Sequence, residues 1–343
     1  MPDLYQNQNN QVKCLACSHY CVIPEGGTGI CGVRENKKGK LELLVYGKPC
    51  SVNVDPVEKK PLYHFLPGTK ILSLGTFGCN LGCGFCQNWD ISQISKANGK
   101  ASTPGWKSFL DRIEYLSPEA VIEMAVKENA PSIAFTYNEP TIWSEYAIDI
   151  AKQAKTAGIK CVYVSNGYMS KETCDYVSPH IHAINIDLKS FSDEFYIKIC
   201  KSRLQPVLDS IKRFFEAGVW TEITTLIIPN YNDSSDNLKR IAEFISTISP
   251  DMPWHLSAFH PDYEMDTVDP TNLKKLLEAY EIGKKSGLNY VYIGNADSGK
   301  HGNTYCPKCN ELLIKRQYMR AGIKNLNNGN CGKCGNKIAG IYS

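Results

Sequence analysis

Cysteine is the residue type whose number and spacing predict chemistry in this chain. The 343 residues include 15 cysteines, and eleven of them fall into three short groups. In a reducing compartment such groups are better explained as metal ligands than as disulfides. The central group, Cys79, Cys83 and Cys86, has the spacing Cys-x3-Cys-x2-Cys. Three thiolates can hold a [4Fe–4S] cluster and leave its fourth iron open to a substrate. The alternatives are a zinc site or buried structural thiols.

The last group is the most regular of the three. It consists of two Cys-x2-Cys pairs, and its members are Cys306, Cys309, Cys331 and Cys334. Four thiolates complete the tetrahedral coordination of one zinc ion, so the spacing predicts a structural zinc ribbon whose folding depends on the metal. A rubredoxin-like iron site and a metal-free module are the alternatives.

The first group is less regular. It contains Cys14, Cys17, Cys21 and Cys31. Zinc held by these four thiolates is the first interpretation, and an auxiliary iron–sulfur cluster or unligated thiols are the others. The scattered Cys50, Cys161, Cys174 and Cys200 are expected in the hydrophobic core.

The elements that must position these groups follow from the hydrophobic pattern. Short runs rich in β-branched residues predict strands at Lys70–Leu74, Ser132–Thr136, Ile159–Ser165, Ala183–Leu188, Thr221–Ile228, Trp254–Phe259 and Tyr290–Ile293. Amphipathic patterns predict helices from Ser117, over Thr141–Gly158 and at about 192–217, 233–248 and 270–286. Six βα units in order require parallel strands, in a doubly wound sheet or in a complete or partial barrel, and either arrangement places functional residues at the carboxyl ends of the strands.

The predicted fold class is therefore α/β. A partial (β/α)6 TIM-like barrel is expected over residues 66–300, after a Cys-rich N-terminal lobe over 1–65 and before the zinc ribbon over 301–343. The composition, 43% hydrophobic and 21% charged, is that of a globular protein. No apolar run approaches 18 residues and no signal segment is evident, so a cytoplasmic protein without a membrane partner is expected.

Charge is unevenly distributed along the chain. The net charge is only +3, too small to indicate a nucleic-acid or membrane partner for the whole protein. Residues 301–343, however, carry seven basic side chains and one acidic one, a net charge of +6. One interpretation is that these basic side chains only form the solvated surface of a small module. The other is that they bind RNA or an acidic protein, and Lys315, Arg316 and Arg320 are then the candidate docking residues.

The central cysteine motif, with the aromatic Phe85 before its third cysteine, resembles the signature of the radical S-adenosylmethionine (SAM) superfamily. The resemblance implies that the amino and carboxylate groups of SAM bind the open iron. It further implies that the reduced cluster cleaves SAM to a 5′-deoxyadenosyl radical, which abstracts hydrogen from a substrate. An electron donor of the flavodoxin or ferredoxin type is the implied partner.

Residues at other strand ends resemble those of glycyl-radical enzyme activases. Glu139 ends the second strand, Ser165-Asn166-Gly167 the third and Asp187-Leu188-Lys189 the fourth, and His260 follows the sixth. The resemblance implies that SAM is bound by Glu139, Ser165, Asn166, Asp187, Lys189 and His260. Val164 and Thr224 depart from the activases, so a shared SAM site is implied but not a shared substrate. His255, inside the sixth strand, is expected in the core.

The three cysteine groups together resemble one family, the AmmeMemoRadiSam-system radical SAM protein, which is similar to pyruvate formate-lyase activating enzymes and associated with companion proteins. Further matching segments are Gly29–Arg34, Asp55–Leu62 and Gly78–Ser92, whereas residues about 95–115 form an unmatched insertion.

Three functions are considered. The first is radical modification of an undetermined, macromolecular substrate, either protein or RNA; the second is activation of a glycyl-radical enzyme; the third is electron transfer or docking without catalysis. Three cysteines leave an iron open, which favours an enzyme. No residue that acts on the substrate can be assigned.

Overall fold

The computed structural model describes residues 4–96, 103–297 and 299–343. Its strands, in chain order, are β1 (Tyr5–Gln8), β2 (Gln11–Cys14), β3 (Val22–Pro24), β4 (Arg34–Lys37), β5 (Lys40–Leu43), β6 (Ser51–Pro56), β7 (Lys70–Gly75), β8 (Ser132–Phe135), β9 (Lys160–Ser165), β10 (Ala183–Asp187), β11 (Trp220–Ile227), β12 (Trp254–Ala258), β13 (Val291–Gly294), β14 (Thr304–Tyr305), β15 (Leu312–Gln317), β16 (Arg320–Ile323), β17 (Leu326–Asn327) and β18 (Asn330–Cys331).

The helices lie mainly between the strands of the middle region. They are α1 (Trp89–Ser92), α2 (Lys107–Leu110), α3 (Pro118–Lys127), α4 (Ser144–Thr156), α5 (Lys171–Val177), α6 (Asp193–Phe195), α7 (Gln205–Glu216), α8 (Ser235–Ile248) and α9 (Leu273–Lys285). Short 3-10 turns occur at Val57–Lys59, Pro140–Trp143, Ser178–His180, Tyr263–Met265 and Gly299–Gly302, and a π-helix at Tyr196–Cys200.

One eight-stranded sheet forms the centre of the molecule. Strands β7 to β13 follow one another across it in chain order and are parallel, while β6 pairs antiparallel with β7. The predicted α/β fold is thus confirmed, and each of the seven predicted runs forms a strand. Strands β13 and β6 are the two edges, so the sheet is open rather than a closed barrel. Strand β6 comes from residues 1–65, and the boundary at residue 65 stays a prediction.

The two faces of the sheet have different neighbours. One face packs against the helices, with α4 on β9, α7 on β11 and α9 on β12 and β13. The other face is covered at the amino ends of the strands, where Val57, Leu62 and Phe65 contact a buried layer. At the carboxyl ends this inner face is open, and it lines a cavity of about 1260 Å³. Parallel α/β sheets place functional residues at this end.

The helix ends follow the predicted signals in most places. Ser117 caps α3 by accepting a hydrogen bond from the Ala120 N–H, and Gly158 adopts a positive φ of 70° just after α4. The helix predicted at about 192–217 is wrong as a single element, because Lys201 adopts a left-handed conformation and Pro206 starts a new helix, α7.

Two smaller parts flank the central sheet. Strands β1 to β5 form two small antiparallel sheets near the N-terminus, and β14 to β18 form two more at the C-terminus. The C-terminal part packs against Tyr63, Tyr290 and Tyr292. In the proposed insertion, residues 97–102 lie outside the described residues, and Trp106 and Leu110 are buried in the main core. Within the described parts of the chain, no helix is long and apolar enough to cross a membrane.

Candidate functional site

The loop after β7 brings the three central cysteines to the cavity. Cys79, Cys83 and Cys86 all line it. The loop is held from one side by the π-helix, because Gly82 N–H donates to Cys200 O (3.0 Å) and Gly84 N–H donates to Ile199 O (3.2 Å). A positive φ of 91° at Gly78 begins the loop, and the backbone of Cys31 is so close that a Cβ there would lie 2.7 Å from its oxygen. The cysteine loop is therefore fixed between two parts of the fold.

The central thiols are buried or partly buried where they line the cavity. Among the described residues, the group of three or more His, Cys, Asp or Glu ligand atoms that lie within 4.8 Å of one another is the C-terminal group, so the three central thiols are not all that close together. Burial raises the pKa of Cys79 and Cys86, the latter to about 11 with help from Cys83. A bound metal is what would hold such thiols as thiolates at neutral pH.

Glu139 is the centre of a buried hydrogen-bond network at the ends of β8 and β9. Its Oε1 accepts from Ser165 Oγ (2.7 Å) and from the Thr141 N–H and hydroxyl, and its Oε2 accepts from the Asn166 N–H (2.7 Å). Burial raises the pKa of Glu139 although these donors oppose the rise. The predicted residues Glu139, Ser165 and Asn166 are thus brought together, and all three line the cavity.

Asn138 is a connecting residue that the sequence interpretation missed. Its Oδ1 accepts from the Thr76 N–H (3.1 Å), and its Nδ2 donates to Gly78 O (2.8 Å). Asn166 makes a second connection, because its Nδ2 donates to Asn80 Oδ1 (2.8 Å). These amides tie the ends of β8 and β9 to the cysteine loop.

Asp187 and Lys189 form an ion pair at the end of β10. Lys189 Nζ lies 2.8 Å from Asp187 Oδ2 and 5.4 Å from the centre of the Phe85 ring. Burial lowers the pKa of Lys189. The negative charges of Asp187 and Cys83 have the larger effect, so the pKa of Lys189 lies above its usual value. The cavity therefore contains a permanent cation beside the cysteine loop.

His260 is the one predicted SAM residue that the structure places outside this arrangement. Its side chain is exposed and does not line the cavity, and its Nδ1 lies 3.4 Å from Pro261 O. Phe259 takes the buried position after β12 instead. The role of His260 stays a prediction that this placement does not support.

His255 belongs to the cavity wall rather than to the closed core. It lines the cavity together with Ser257, and its Nε2 lies 2.6 Å from Glu222 Oε2. The signal was present in the sequence: in β12 the polar His255 and Ser257 alternate with Trp254, Leu256 and Ala258, which places the two polar residues on one face. The expectation that His255 is buried is confirmed at 4% exposure, and the structure adds that this side chain also lines the cavity.

The C-terminal cysteines form a compact group. Their four sulfur atoms lie within 4.8 Å of one another, with Cys306 Sγ 3.6 Å from Cys334 Sγ and Cys309 Sγ 3.7 Å from Cys331 Sγ. Such a group could hold one metal ion, as the ribbon prediction requires.

The N-terminal cysteines are less closely grouped. Cys14, Cys17 and Cys31 are buried and Cys21 is partly exposed, but the four sulfur atoms do not reach the spacing of the C-terminal group. This lobe contacts the cysteine loop, since His19 Nε2 lies 2.9 Å from Asn80 O. It also contacts the segment after α1, where Ser95 Oγ donates to Cys31 O (2.8 Å). A metal at these four residues stays a prediction.

Arg316 cannot serve the docking role considered for it. It is only 6% exposed, its NH2 donates to Tyr63 O (2.7 Å) and its guanidinium carbon lies 4.1 Å from the centre of the Tyr63 ring. This arginine fixes the C-terminal part to the core, whereas Lys315 and Arg320 are exposed.

Comparison with known proteins places the chain in a family. A family model described as the radical SAM superfamily matches residues 73–245. The chain is 42% identical over 335 residues to an uncharacterised protein of Methanocaldococcus jannaschii, and the match covers 96% of each. A pyruvate formate-lyase-activating enzyme of Clostridium pasteurianum is 26% identical over 171 residues, 50% of this chain and 67% of the relative.

A solved structure agrees at the level of the fold. A radical SAM methyltransferase from Sphaerobacter thermophilus superimposes with a TM-score of 0.51 at 12% identity, over 68% of each chain. The chain belongs to the radical SAM superfamily, and it is similar to pyruvate formate-lyase activating enzymes. Membership implies a [4Fe–4S] cluster and SAM as cofactors.

Proposed function

We propose that the protein is a radical SAM enzyme that modifies a macromolecular substrate. When bound, the cluster and SAM supply a 5′-deoxyadenosyl radical that abstracts hydrogen. The observation that carries the proposal is the convergence of three thiols, a buried carboxylate and a partly buried ion pair on one cavity. Cys79, Cys83 and Cys86 would hold the cluster.

The polar residues of the cavity suit the groups of SAM. Lys189 offers a cation for the carboxylate, and Glu139 offers a carboxylate for the ammonium. Asp187 would accept from a ribose hydroxyl or the ammonium. Ser165 and Asn166 are held by Glu139 itself and would orient it. His260 would reach SAM only from a different position of its loop.

The placement of the C-terminal hairpin supports a large substrate. Lys315, Gln317, Tyr318 and Met319 of this hairpin line the cavity, and Tyr318 is 85% exposed. A protein or RNA bound to the hairpin and to Lys315 and Arg320 would therefore lie at the cavity mouth. Surface cations that contact phosphate or carboxylate groups give salt-dependent binding.

An activase for a glycyl-radical enzyme is the second candidate. It is favoured by the similarity to the activating enzyme of Clostridium pasteurianum. In that case the substrate would be a glycine-containing loop of a partner protein, and its modification would leave a stable radical detectable by electron paramagnetic resonance.

Several finer assignments belong to the same proposal. The family is proposed to be the AmmeMemoRadiSam-system radical SAM proteins, working with companion proteins and a flavodoxin or ferredoxin in the cytoplasm. Zinc is proposed at the four C-terminal cysteines and, as a weaker proposal, at Cys14, Cys17, Cys21 and Cys31. The Cys-rich lobe, the catalytic core and the ribbon are proposed as domains over 1–65, 66–300 and 301–343.

SAM cleavage by the reduced protein tests the proposed chemistry. After anaerobic reconstitution, the protein should release 5′-deoxyadenosine and methionine from SAM, and Cys83→Ala should abolish this release because one iron loses its thiolate. Cys50→Ala is the matched control, since Cys50 lies outside the cavity lining and its thiol lies 3.7 Å from Gly75 O. Release at the parental rate by Cys83→Ala, or none by the parent protein, would overturn the proposal.

A further inference from the structure

A buried acid that does not itself line the cavity contacts a residue of its wall, away from the residues proposed for SAM. Glu222, on β11, is fully buried and receives hydrogen bonds from the Tyr63 N–H (3.0 Å), the His64 N–H (2.8 Å) and Trp220 Nε1 (2.9 Å). His255 is its fourth partner, at 2.6 Å. Burial raises the pKa of Glu222, but its hydrogen bonds, among them those from His255 and Trp220, outweigh this and lower it overall. The carboxylate is thus suited to stay ionised.

His255 uses only one of its ring nitrogens in this arrangement. Nε2 is held by Glu222, whereas Nδ1 has no hydrogen-bond partner among residues 4–96, 103–297 and 299–343. The side chain is only 4% exposed, yet it lines the cavity. Nδ1 is not among the fully buried side-chain atoms that lack a partner in the described residues, so it is open to the cavity, where a partner can bind.

Strand register places His255 level with the ion pair of β10. Asp187 pairs with Thr224 of β11, and Thr224 pairs with His255 of β12. All three residues line the cavity. Neighbouring strands lie about 4.8 Å apart, so His255 is about 10 Å from Asp187 across the inner face. This distance separates His255 from the proposed SAM residues but keeps it within reach of a substrate in the same cavity.

We propose that His255, held by Glu222, is the proton acceptor for the substrate in this cavity. The inference rests on the proposed function and extends it to the substrate class, a molecule with a hydroxyl or amine on the carbon that loses hydrogen. Loss of that hydrogen atom makes the adjacent O–H or N–H more acidic. The O–H or N–H bond of the substrate breaks heterolytically, and its proton bonds to Nδ1 of His255. The Glu222 carboxylate balances the charge of the resulting imidazolium. The unpaired electron stays on the substrate.

The surroundings of His255 suit a change of its charge. The titratable groups near it are Glu222 on β11, Tyr63 and His64 after the 3-10 turn, and Tyr292 on β13. The rings of Tyr63 and Tyr292 lie 4.7 and 5.4 Å from the imidazole centre. Arg316 lies beyond both tyrosine rings and faces Glu58 at 3.8 Å. The nearest charge to His255 is therefore the carboxylate that would balance an imidazolium.

Chemical modification tests this proposal without knowledge of the substrate. The reconstituted full-length protein is treated anaerobically with diethyl pyrocarbonate, which attacks neutral imidazole, and modified peptides are mapped by mass spectrometry. His255 should react through the cavity, and its rate should fall on acidification as the imidazole takes up a proton. His260 is the exposed reference, and the fully buried His64 should stay unmodified.

Substitution of the partner separates proton transfer from a structural role. In Glu222→Gln no anion balances the imidazolium, so modification of His255 at pH 5.5 should be several-fold faster than in the parent. If Glu222→Gln does not fold, the pH profile of the parent alone decides. A His255 as unreactive as His64, or a rate independent of pH, would overturn the proposal, whereas absent SAM cleavage would overturn only the proposed function.

Discussion

At the scale of single residues, two buried carboxylates show how partners decide the chemistry of an acid. Glu139 and Glu222 are both almost completely buried, and each accepts four hydrogen bonds. The pKa of Glu139 is raised because burial prevails over its neutral donors, whereas the pKa of Glu222 is lowered because His255 is among its partners. The donors that hold Glu139 are neutral, and the ammonium of SAM would supply a cation.

Replacement of Glu139 by glutamine tests this assignment. Glu139→Gln removes the negative charge, so SAM affinity should fall at least tenfold. It also puts an amide NH2 against a neighbouring donor, so the free energy of unfolding should fall by about 1–3 kcal/mol. Glu123→Gln on the exposed side of α3 is the control. Anaerobic equilibrium dialysis with SAM and urea unfolding measure the two effects. A folded Glu139→Gln protein with the parental SAM affinity would contradict the assignment.

At the scale of elements, the strands were predictable and parts of the site were not. Strand prediction succeeded because buried parallel strands are continuous β-branched runs, as in Val162 and its neighbours on β9. The break at Lys201 escaped because no glycine or asparagine marks its left-handed conformation. His255 escaped because its role depends on Glu222, which is 33 residues away in the sequence. Contacts between distant segments leave no local pattern.

The cysteine loop gives an element-scale prediction at Gly78. Gly78 has a positive φ of 91°, which is unfavourable for alanine. The Cβ of Gly78→Ala would lie 2.7 Å from Cys31 O and 2.8 Å from Val33 Cγ1. The cysteine loop must therefore move away from the N-terminal lobe. Iron content after anaerobic reconstitution should fall by more than half. Gly158→Ala is the matched control, because its φ is also positive, at 70°, but no atom lies within 4 Å of the new Cβ. It should cost only about 1 kcal/mol of stability and keep its iron. Equal iron in both variants would refute this role of the loop.

At the scale of the whole molecule, the open sheet is completed by segments from both ends of the chain. The segment after β6 covers the amino ends of the strands, and the C-terminal part is anchored by Arg316 and by the bridge between Phe65 and Ile341. The sequence showed the three cysteine groups but not that the first and last parts of the chain meet. His64 lies where they do, since its Nδ1 is 2.7 Å from Ala339 O and its Nε2 is 2.6 Å from Tyr292 Oη.

The stability of this junction should depend on pH through His64. Burial, the largest cause, lowers the pKa of His64 to about 4. The usual pKa of histidine is about 6.5. At pH values between this and the lowered pKa, the unfolded chain binds a proton at residue 64 that the folded protein does not bind. The free energy of unfolding must therefore fall as the pH drops. From pH 7 to pH 5 the loss should be about 2 kcal/mol, measured by urea unfolding under anaerobic conditions. His64→Gln keeps a polar side chain but cannot titrate, so it should be less stable at pH 7 and lose less on acidification. Parallel pH profiles for the two proteins would show that His64 does not couple the two ends of the chain to protonation.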